Sequence, residues 1–209
     1  MFTLRNAEFV TTVAAARDLP PAQGAEVAFV GRSNAGKSSA LNAITGRRRL
    51  AFVSKTPGRT QYINFYRVAP GCHLVDLPGY GYAAAAPSAT RAQWSALIGG
   101  YLQTRAALRG VVLILDARRG LTALDRQLIA WLKPAGRPLH VLLSKSDQLG
   151  RRQANATRHD VESALRCEGL DASVQLFSST HKIGIVEAAA RIEAWLAGDG
   201  HKKPPVKGE

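Results

Sequence analysis

The sequence predicts an α/β domain: a doubly wound, mostly parallel six-stranded sheet with one antiparallel edge strand and helices on both faces. Three observations predict it. Apolar runs of strand length alternate with longer stretches of helical spacing. The first run ends in a tight glycine-rich turn, and the second and third are joined by little more than "APG". The 209 residues hold one sizeable core and no flexible hinge between two.

In chain order, "AEVAFVG" (25–31) opens the sheet and a helix over 37–46 follows. Residues 47–61, "RRRLAFVSKTPGRTQ", carry Pro57, Gly58 and a run of arginines, so they read as an exposed loop instead of a crossover helix. That loop leads into "INFYRV" (63–68), whose short turn to "HLVDLP" (73–78) makes a hairpin and hence the antiparallel edge strand. Helical spacing over 89–108, 122–133 and 152–168 precedes the runs "GVVLILDA" (110–117), "PLHVLLS" (138–144) and "SVQLFS" (173–178), and a last helix covers 184–197. No period of 20 to 50 residues recurs, which removes repeat architectures. Residues 1–198 therefore form one domain. "GYGYAAAAPSA" (79–89) is low in complexity and expected to be mobile, and the basic tail 199–209 is expected to be disordered.

Charge and cysteine content narrow the function. The net charge of +13, from 28 Lys and Arg against 15 Asp and Glu, favours a polyanionic partner, nucleic acid before an anionic membrane surface. No apolar run approaches the roughly 20 residues of a spanning helix. Arg5 and Glu8 interrupt the N-terminus where a signal peptide would be apolar, so a cytoplasmic protein without stable membrane association is expected. Cys72 and Cys167 lie far apart with no CxxC spacing and read as reduced thiols.

"GRSNAGKS", Gly31 to Ser38, fits G-x-x-x-x-G-K-[ST] between a predicted strand and a predicted helix. The glycines let successive amides turn onto a phosphate, Lys37 adds positive charge near the β and γ phosphates, and the Ser38 hydroxyl can ligate Mg²⁺. The loop residues Gly31, Arg32, Ser33, Asn34, Ala35, Gly36, Lys37 and Ser38 are thus the expected phosphate cradle of a nucleoside triphosphate. The base is chosen by "SKSD", Ser144, Lys145, Ser146 and Asp147, at the end of an apolar strand. A carboxylate there accepts from both N1–H and the 2-amino group of guanine, and adenine has neither donor. The stem of Lys145 can lie over the purine while its ammonium reaches toward the phosphate loop. A further contact is expected from "FSS", Phe177, Ser178 and Ser179, with the Ser179 amide near guanine O6.

"DLPG", Asp76, Leu77, Pro78 and Gly79, supplies a carboxylate that can hold Mg²⁺ through water and an amide, that of Gly79, for the γ phosphate. A threonine of the exposed loop, Thr60 or Thr56, can close on the same metal when the γ phosphate is present, which makes the loop a two-state element. Spacing does not separate the two threonines. Gly58, Arg59, Gln61 and Tyr62 would line the nucleotide from that loop.

At this point the sequence resembles the translation-factor-related GTPases, P-loop proteins of the TrmE-Era-EngA-EngB group, and within them the EngB (YsxC/YihA) family. The resemblance runs through "VGRSNAGKSSALNA", "SKTPGRTQYINFY", "LVDLPGYGYA", Trp94, "LLSKSD" and "FSS" in family order, and covers nearly the whole chain. It implies that Thr60 is the switch threonine and that Ser38 and Thr60 ligate Mg²⁺. It also implies a role in assembling the large ribosomal subunit, linked to normal cell division and septation. Ser144 departs from the family's Thr or Asn before the lysine, which predicts weaker guanine affinity with base choice by Asp147 intact.

Catalysis here would be positioning and charge neutralisation by Mg²⁺, Lys37 and the amides of the loop and Gly79, with Thr60 closing the site. Tyr80 stands after Gly79 where a Ras-like enzyme has a water-orienting Gln, so slow intrinsic GTP hydrolysis to GDP is expected. Asn34 resembles the phosphate-loop asparagine of potassium-stimulated GTPases and would help hold K⁺; a simple turn-forming Asn is the alternative. Arg47 to Arg49, Arg118 and Arg119, and Lys202, Lys203 and Lys207 offer contacts to ribosomal RNA. Two other readings are a GTPase of tRNA modification or septum signalling, and a non-switching basic RNA-binding protein; the base-reading Asp147 argues against the latter. Nothing in the sequence demands more than a monomer.

Overall fold

The computed structural model describes residues 3–52, 62–80, 88–170 and 172–198. The elements are β1 (Glu8–Val13), β2 (Ala25–Gly31), α1 (Lys37–Thr45), β3 (Ile63–Ala69), β4 (Cys72–Asp76) and α2 (Ser88–Thr104). They continue with β5 (Leu108–Asp116), α3 (Ala123–Leu132), β6 (Leu139–Ser144), α4 (Arg151–Cys167), β7 (Ala172–Leu176) and α5 (Ile185–Ala197). One sheet takes them in the order β1-β3-β4-β2-β5-β6-β7. β4, β2, β5, β6 and β7 run parallel, and β3 runs antiparallel to both β4 and β1.

The predicted fold class holds with two differences. The sheet has seven strands, not six, and the antiparallel strand β3 is covered by β1 instead of forming the edge. β1, "EFVTTV", carries little signal because most of it is exposed, with only Val13 fully buried, so it shows neither an apolar run nor a clean alternation. It is held by its ladder to β3 and by the Thr12 hydroxyl donating to Asn64 Oδ1 at 2.8 Å. The helix expected over 89–108 ends at Thr104, because the chain turns there to place Arg105 against Glu26 and to start β5 at Leu108. Arg105 and the Tyr101 hydroxyl both bond the buried Glu26 carboxylate, pinning the end of α2 to the start of β2.

The central strands β2, β5 and β6 are buried almost throughout, as a parallel strand covered on both faces must be. Their side chains divide by the period of two. Ala28, Val30, Val111, Leu113 and Leu115 join Ile98, Leu128, Ile129, Val161 and Leu165 of α2, α3 and α4 on one face. Val27, Phe29, Val112 and Ile114 join Leu41, Ile44, Ala188, Ile192 and Trp195 of α1 and α5 on the other. β4 lies on one side of β2 and β5 on the other, so the chain crosses over beside β2. The crevice at the carboxyl end of that strand is where an open α/β sheet takes its ligand. No helix among the described residues is long and apolar enough to cross a membrane.

Candidate functional site

The loop between β2 and α1 lies in that crevice. Asn34 (φ 65°) and Gly36 (φ 98°) both adopt left-handed backbone, which bends the loop back and starts α1 at Lys37. Asn tolerates this conformation better than most side chains, so Asn34 has a backbone reason to be where it is. Lys37 is buried, and its ammonium contacts Asp76 Oδ1 at the end of β4. The residue expected at the phosphates and the carboxylate expected near the metal are therefore direct neighbours. Ser38 follows Lys37, with its hydroxyl free of hydrogen bonds to described residues. A hydroxyl beside a carboxylate is the hard oxygen donor set that Mg²⁺ prefers, and such sites need few protein ligands.

The segment after Asp76 runs along the same loop. Leu77 N donates to Phe29 O, Tyr80 N to Gly31 O at 3.2 Å, and Ser33 N to Tyr80 O at 3.1 Å. Gly79 fits against Ser33 so closely that a Cβ would lie 3.1 to 3.3 Å from Ser33 atoms, so the two glycine-bearing motifs are packed together. Pro78 lies between Leu77 and Gly79 in this run. The Tyr80 side chain turns away into the core, and its hydroxyl donates to Asp125 Oδ1 at 2.5 Å. Burial and the Asp125 carboxylate raise the Tyr80 phenol well above its usual range, so it stays a proton donor. Asp125 is itself held by the amide and hydroxyl of Thr122, as part of the capping box of α3.

The base-side residues converge on the same loop from β6 and β7. The buried Ser144 hydroxyl donates to Ala35 O. Lys145 (φ 58°) sends its ammonium to Asn34 O at 2.8 Å and to Asp116 Oδ2 at 2.9 Å. The expected reach of this lysine to the phosphate loop is present. Ser146 N and Oγ both donate to Phe177 O, tying the loop after β6 to the end of β7. Asp147 stands at the rim with its side chain 14% exposed and the His181 ring 3.4 Å away. A hydrogen bond from Ser178, assisted by His181, holds the Asp147 carboxyl below the usual carboxylate range. Ser178 is buried and Ser179 follows it, partly open to solvent. Thr56, Gly58, Arg59, Thr60 and Gln61 lie outside the described residues, as do 81–87 and the tail 199–209; Tyr62 is described and exposed.

Two residues of the site escaped the sequence reading. Asp116 ends β5 beside the loop, ion-paired to both Lys145 and Arg118. Burial alone would raise its carboxyl, but hydrogen bonds from Arg118 and Lys145 outweigh that and hold it well below the usual range. The signal was a carboxylate closing the apolar run "VVLILD". His181 had none, since only the turn after β7 brings it to Asp147.

A family model described as the 50S ribosome-binding GTPase matches residues 26–145, from β2 through Lys145. The matched span takes in the loop, the Asp76 segment and the first of the base-side residues, and it sets this chain among the P-loop GTPases. The GTP-binding protein EngB of Thiobacillus denitrificans is 54% identical over 202 residues, 97% of each chain. That of Aromatoleum aromaticum is 55% identical over 202 residues, covering 97% of this chain and 93% of its own. The chain belongs to the EngB family of GTP-binding proteins. Solved structures agree in fold. A crystal structure of an EngB GTP-binding protein superposes with a TM-score of 0.67 at 21% identity, over 83% of this chain and all of that one. Era in complex with MgGDPNP and a piece of 16S ribosomal RNA gives 0.63 at 19% identity, over 89% of this chain and 60% of that one.

Proposed function

We propose that this protein is a GTP-hydrolysing switch that binds the large ribosomal subunit or its precursor during assembly, and that normal cell division and septation depend on it through that step. The guanine assignment rests on Asp147, an ionised carboxylate at the rim, beside Lys145, whose ammonium is bonded to the phosphate loop. A base that offers two donors pairs with Asp147, and one that offers none leaves it unpaired. The ribosomal assignment is supported by the description of the matching family and by a net charge of +13. In Era, a protein of the same fold, the partner is ribosomal RNA.

Lys37 and the loop amides up to Ser38 would hold the phosphates, with the Gly79 amide facing the terminal one. Ser38, Thr60 and, through water, Asp76 would hold Mg²⁺. When bound, that ion neutralises charge developing on the transferred phosphate. Around it, the chain's own groups bind and orient. Gly31 to Gly36 shape the cradle, Gly58 to Tyr62 close over it, and Phe177 to Ser179 back the base. No side chain that could orient water extends from position 80, because Tyr80 is buried and bonded to Asp125, so intrinsic hydrolysis is slow. K⁺ held at the Asn34 side chain would supply the missing charge; equal turnover in K⁺ and Na⁺ buffers would dismiss that role. The chain acts as a cytoplasmic monomer.

The test is co-sedimentation with large ribosomal subunits, at low and high salt, with GDP and with a non-hydrolysable GTP analogue. Binding that appears with the analogue, weakens with GDP and fades with salt supports the reading. Nucleotide binding without any subunit binding removes the ribosomal partner and leaves the GTPase.

A further inference from the structure

Behind the phosphate loop lies a cavity of about 190 Å³ that the nucleotide reading does not use. Its walls are the outer side of the loop at Arg32 to Ala35 and the turn from β5 into α3, with Asp116, Arg118, Arg119 and Asp125. Gly36, Lys37, Ser38, Asp76, Gly79 and Asp147 contribute nothing to it. The two spaces share a wall but not a mouth.

The charges around the cavity do not cancel. Asp116 is committed to Arg118 and Lys145, and Asp125 to Tyr80 and Thr122. Both carboxylates are spent. Arg32 is not: its Nε–H is buried with no hydrogen-bond partner, and its side chain bonds no described residue. A buried guanidinium N–H without an acceptor is costly, and a native site commonly leaves one only where something else supplies the acceptor. Arg119, across the cavity, likewise has no side-chain hydrogen bond or ion pair with a described residue. Two unspent guanidinium groups facing one small space call for a compact anion with several acceptor oxygens, and phosphate matches the planar fork of arginine. The volume is that of about six waters at roughly 30 Å³ each, below the range of drug-sized sites and ample for a phosphate group.

We propose that this cavity is a second phosphate-binding site, separate from that of the nucleotide, which grips one phosphate group between Arg32 and Arg119. The phosphate comes from an RNA backbone or from a free phosphate; the first source rests on the ribosomal reading, the second does not. A phosphate here would lie against the loop at Asn34, where Lys145 also bonds.

The test uses the full chain labelled with ¹⁵N at arginine and loaded with GDP and Mg²⁺, so a failure of nucleotide binding registers before the titration begins. Inorganic phosphate, and separately a short single-stranded RNA, are added at constant ionic strength while the Arg32 Nε–H resonance is followed. A saturable movement of that resonance is expected, and Arg119→Ala should weaken it on the order of 10-fold, with Arg119→Glu weakening it further. Response to RNA, with or without phosphate, assigns the site to a phosphodiester; response to phosphate alone assigns it to the free anion. A resonance unmoved by either, or moved with equal affinity in Arg119→Ala, overturns the proposal.

Discussion

The Ser144 hydroxyl directs its proton at the carbonyl oxygen of Ala35, with Leu115 O 3.0 Å away, and so ties the end of β6 to the phosphate loop. This is the position at which the chain departs from its family's Thr or Asn. A serine hydroxyl suffices for the bond because β6 brings it within reach of the loop from a buried position. Ser144→Ala leaves Ala35 O buried without that donor, at a cost of about 1 to 2 kcal/mol. In a domain of this size the melting temperature should fall by about 2 to 8 °C. Guanine nucleotide affinity should fall several-fold in the same variant, because the loop loses its tether. Ser144→Thr keeps the hydroxyl and should recover both readings. Thermal melts with and without GDP check this; an Ala variant as stable as the parent would show the tether to be idle.

Asp147 is the residue on which base choice turns. Its carboxylate is held ionised by Ser178 and stands with acceptors only, so it suits the donor edge of guanine. In Asp147→Asn one acceptor oxygen becomes a donor amide, which opposes the guanine 2-amino group and suits the 2-oxo group of xanthine. GTP affinity should drop on the order of 100-fold and that for xanthosine triphosphate should rise. Competition titrations with the two nucleotides decide it. Equal affinity for GTP before and after the substitution would remove Asp147 from the site.

These two sites differ in how far the sequence disclosed them. Gly31 to Ser38 and Ser144 to Asp147 were legible because each sits where an apolar strand stops, and strand ends can be read from local periodicity. Lys145 reaching the phosphate loop was legible for the same reason, since both strand ends point into one crevice. The pairing of Lys37 with Asp76 was not, because it depends on β4 lying beside β2, and order within a sheet is not a local property. Strand β1 escaped because an edge strand buries too little to leave a pattern. His181 escaped because its approach to Asp147 is set by the turn after β7 alone.

The base-side edge of the sheet should loosen in mild acid. His140 on β6 is buried, with Nε2 against Gln175 Oε1 at 2.9 Å and Nδ1 against Ser173 Oγ at 2.7 Å, both on β7. The Gln175 amide nitrogen donates to Gly184 O, which leaves its oxygen for the ring and makes Nε2 the protonated nitrogen. Burial, with Arg191 nearby, lowers the His140 pKa to about 4, against about 6.5 in an unfolded chain. Between those values the unfolded chain binds the proton that the folded one refuses. The stability this gives is complete above about pH 6.5 and is lost as pH falls to about 4, a change of up to about 3 kcal/mol. His73, also lowered by burial, adds with the same sign, and Asp116 adds a further loss at more acid pH, as its carboxylate protonates. Urea unfolding at stepped pH should therefore show falling stability over this window, with a shallower fall in His140→Asn. An unchanged slope in the variant would mean that another group takes the proton.

Tyr80 occupies the position after Gly79, and its side chain gives the sharpest prediction about hydrolysis. The hydroxyl is bonded to Asp125 beneath α3, and the residue is buried. A group that oriented or protonated the attacking water would, on removal, cost about 10² to 10⁴ in rate. Tyr80→Phe keeps the ring in the core and removes only the hydroxyl. Asp125 loses one donor but keeps the two from Thr122, so stability should fall by about 1 kcal/mol. Single-turnover GTP hydrolysis should stay within about twofold of the parent, because a buried structural hydroxyl does not touch the reacting atoms. A rate loss of 10² or more, at unchanged nucleotide affinity, would mean instead that the segment from Asp76 to Tyr80 swings outward during turnover and brings the phenol to the phosphate. The stability measurement separates that outcome from simple loosening, since a destabilised fold would lose nucleotide affinity along with rate.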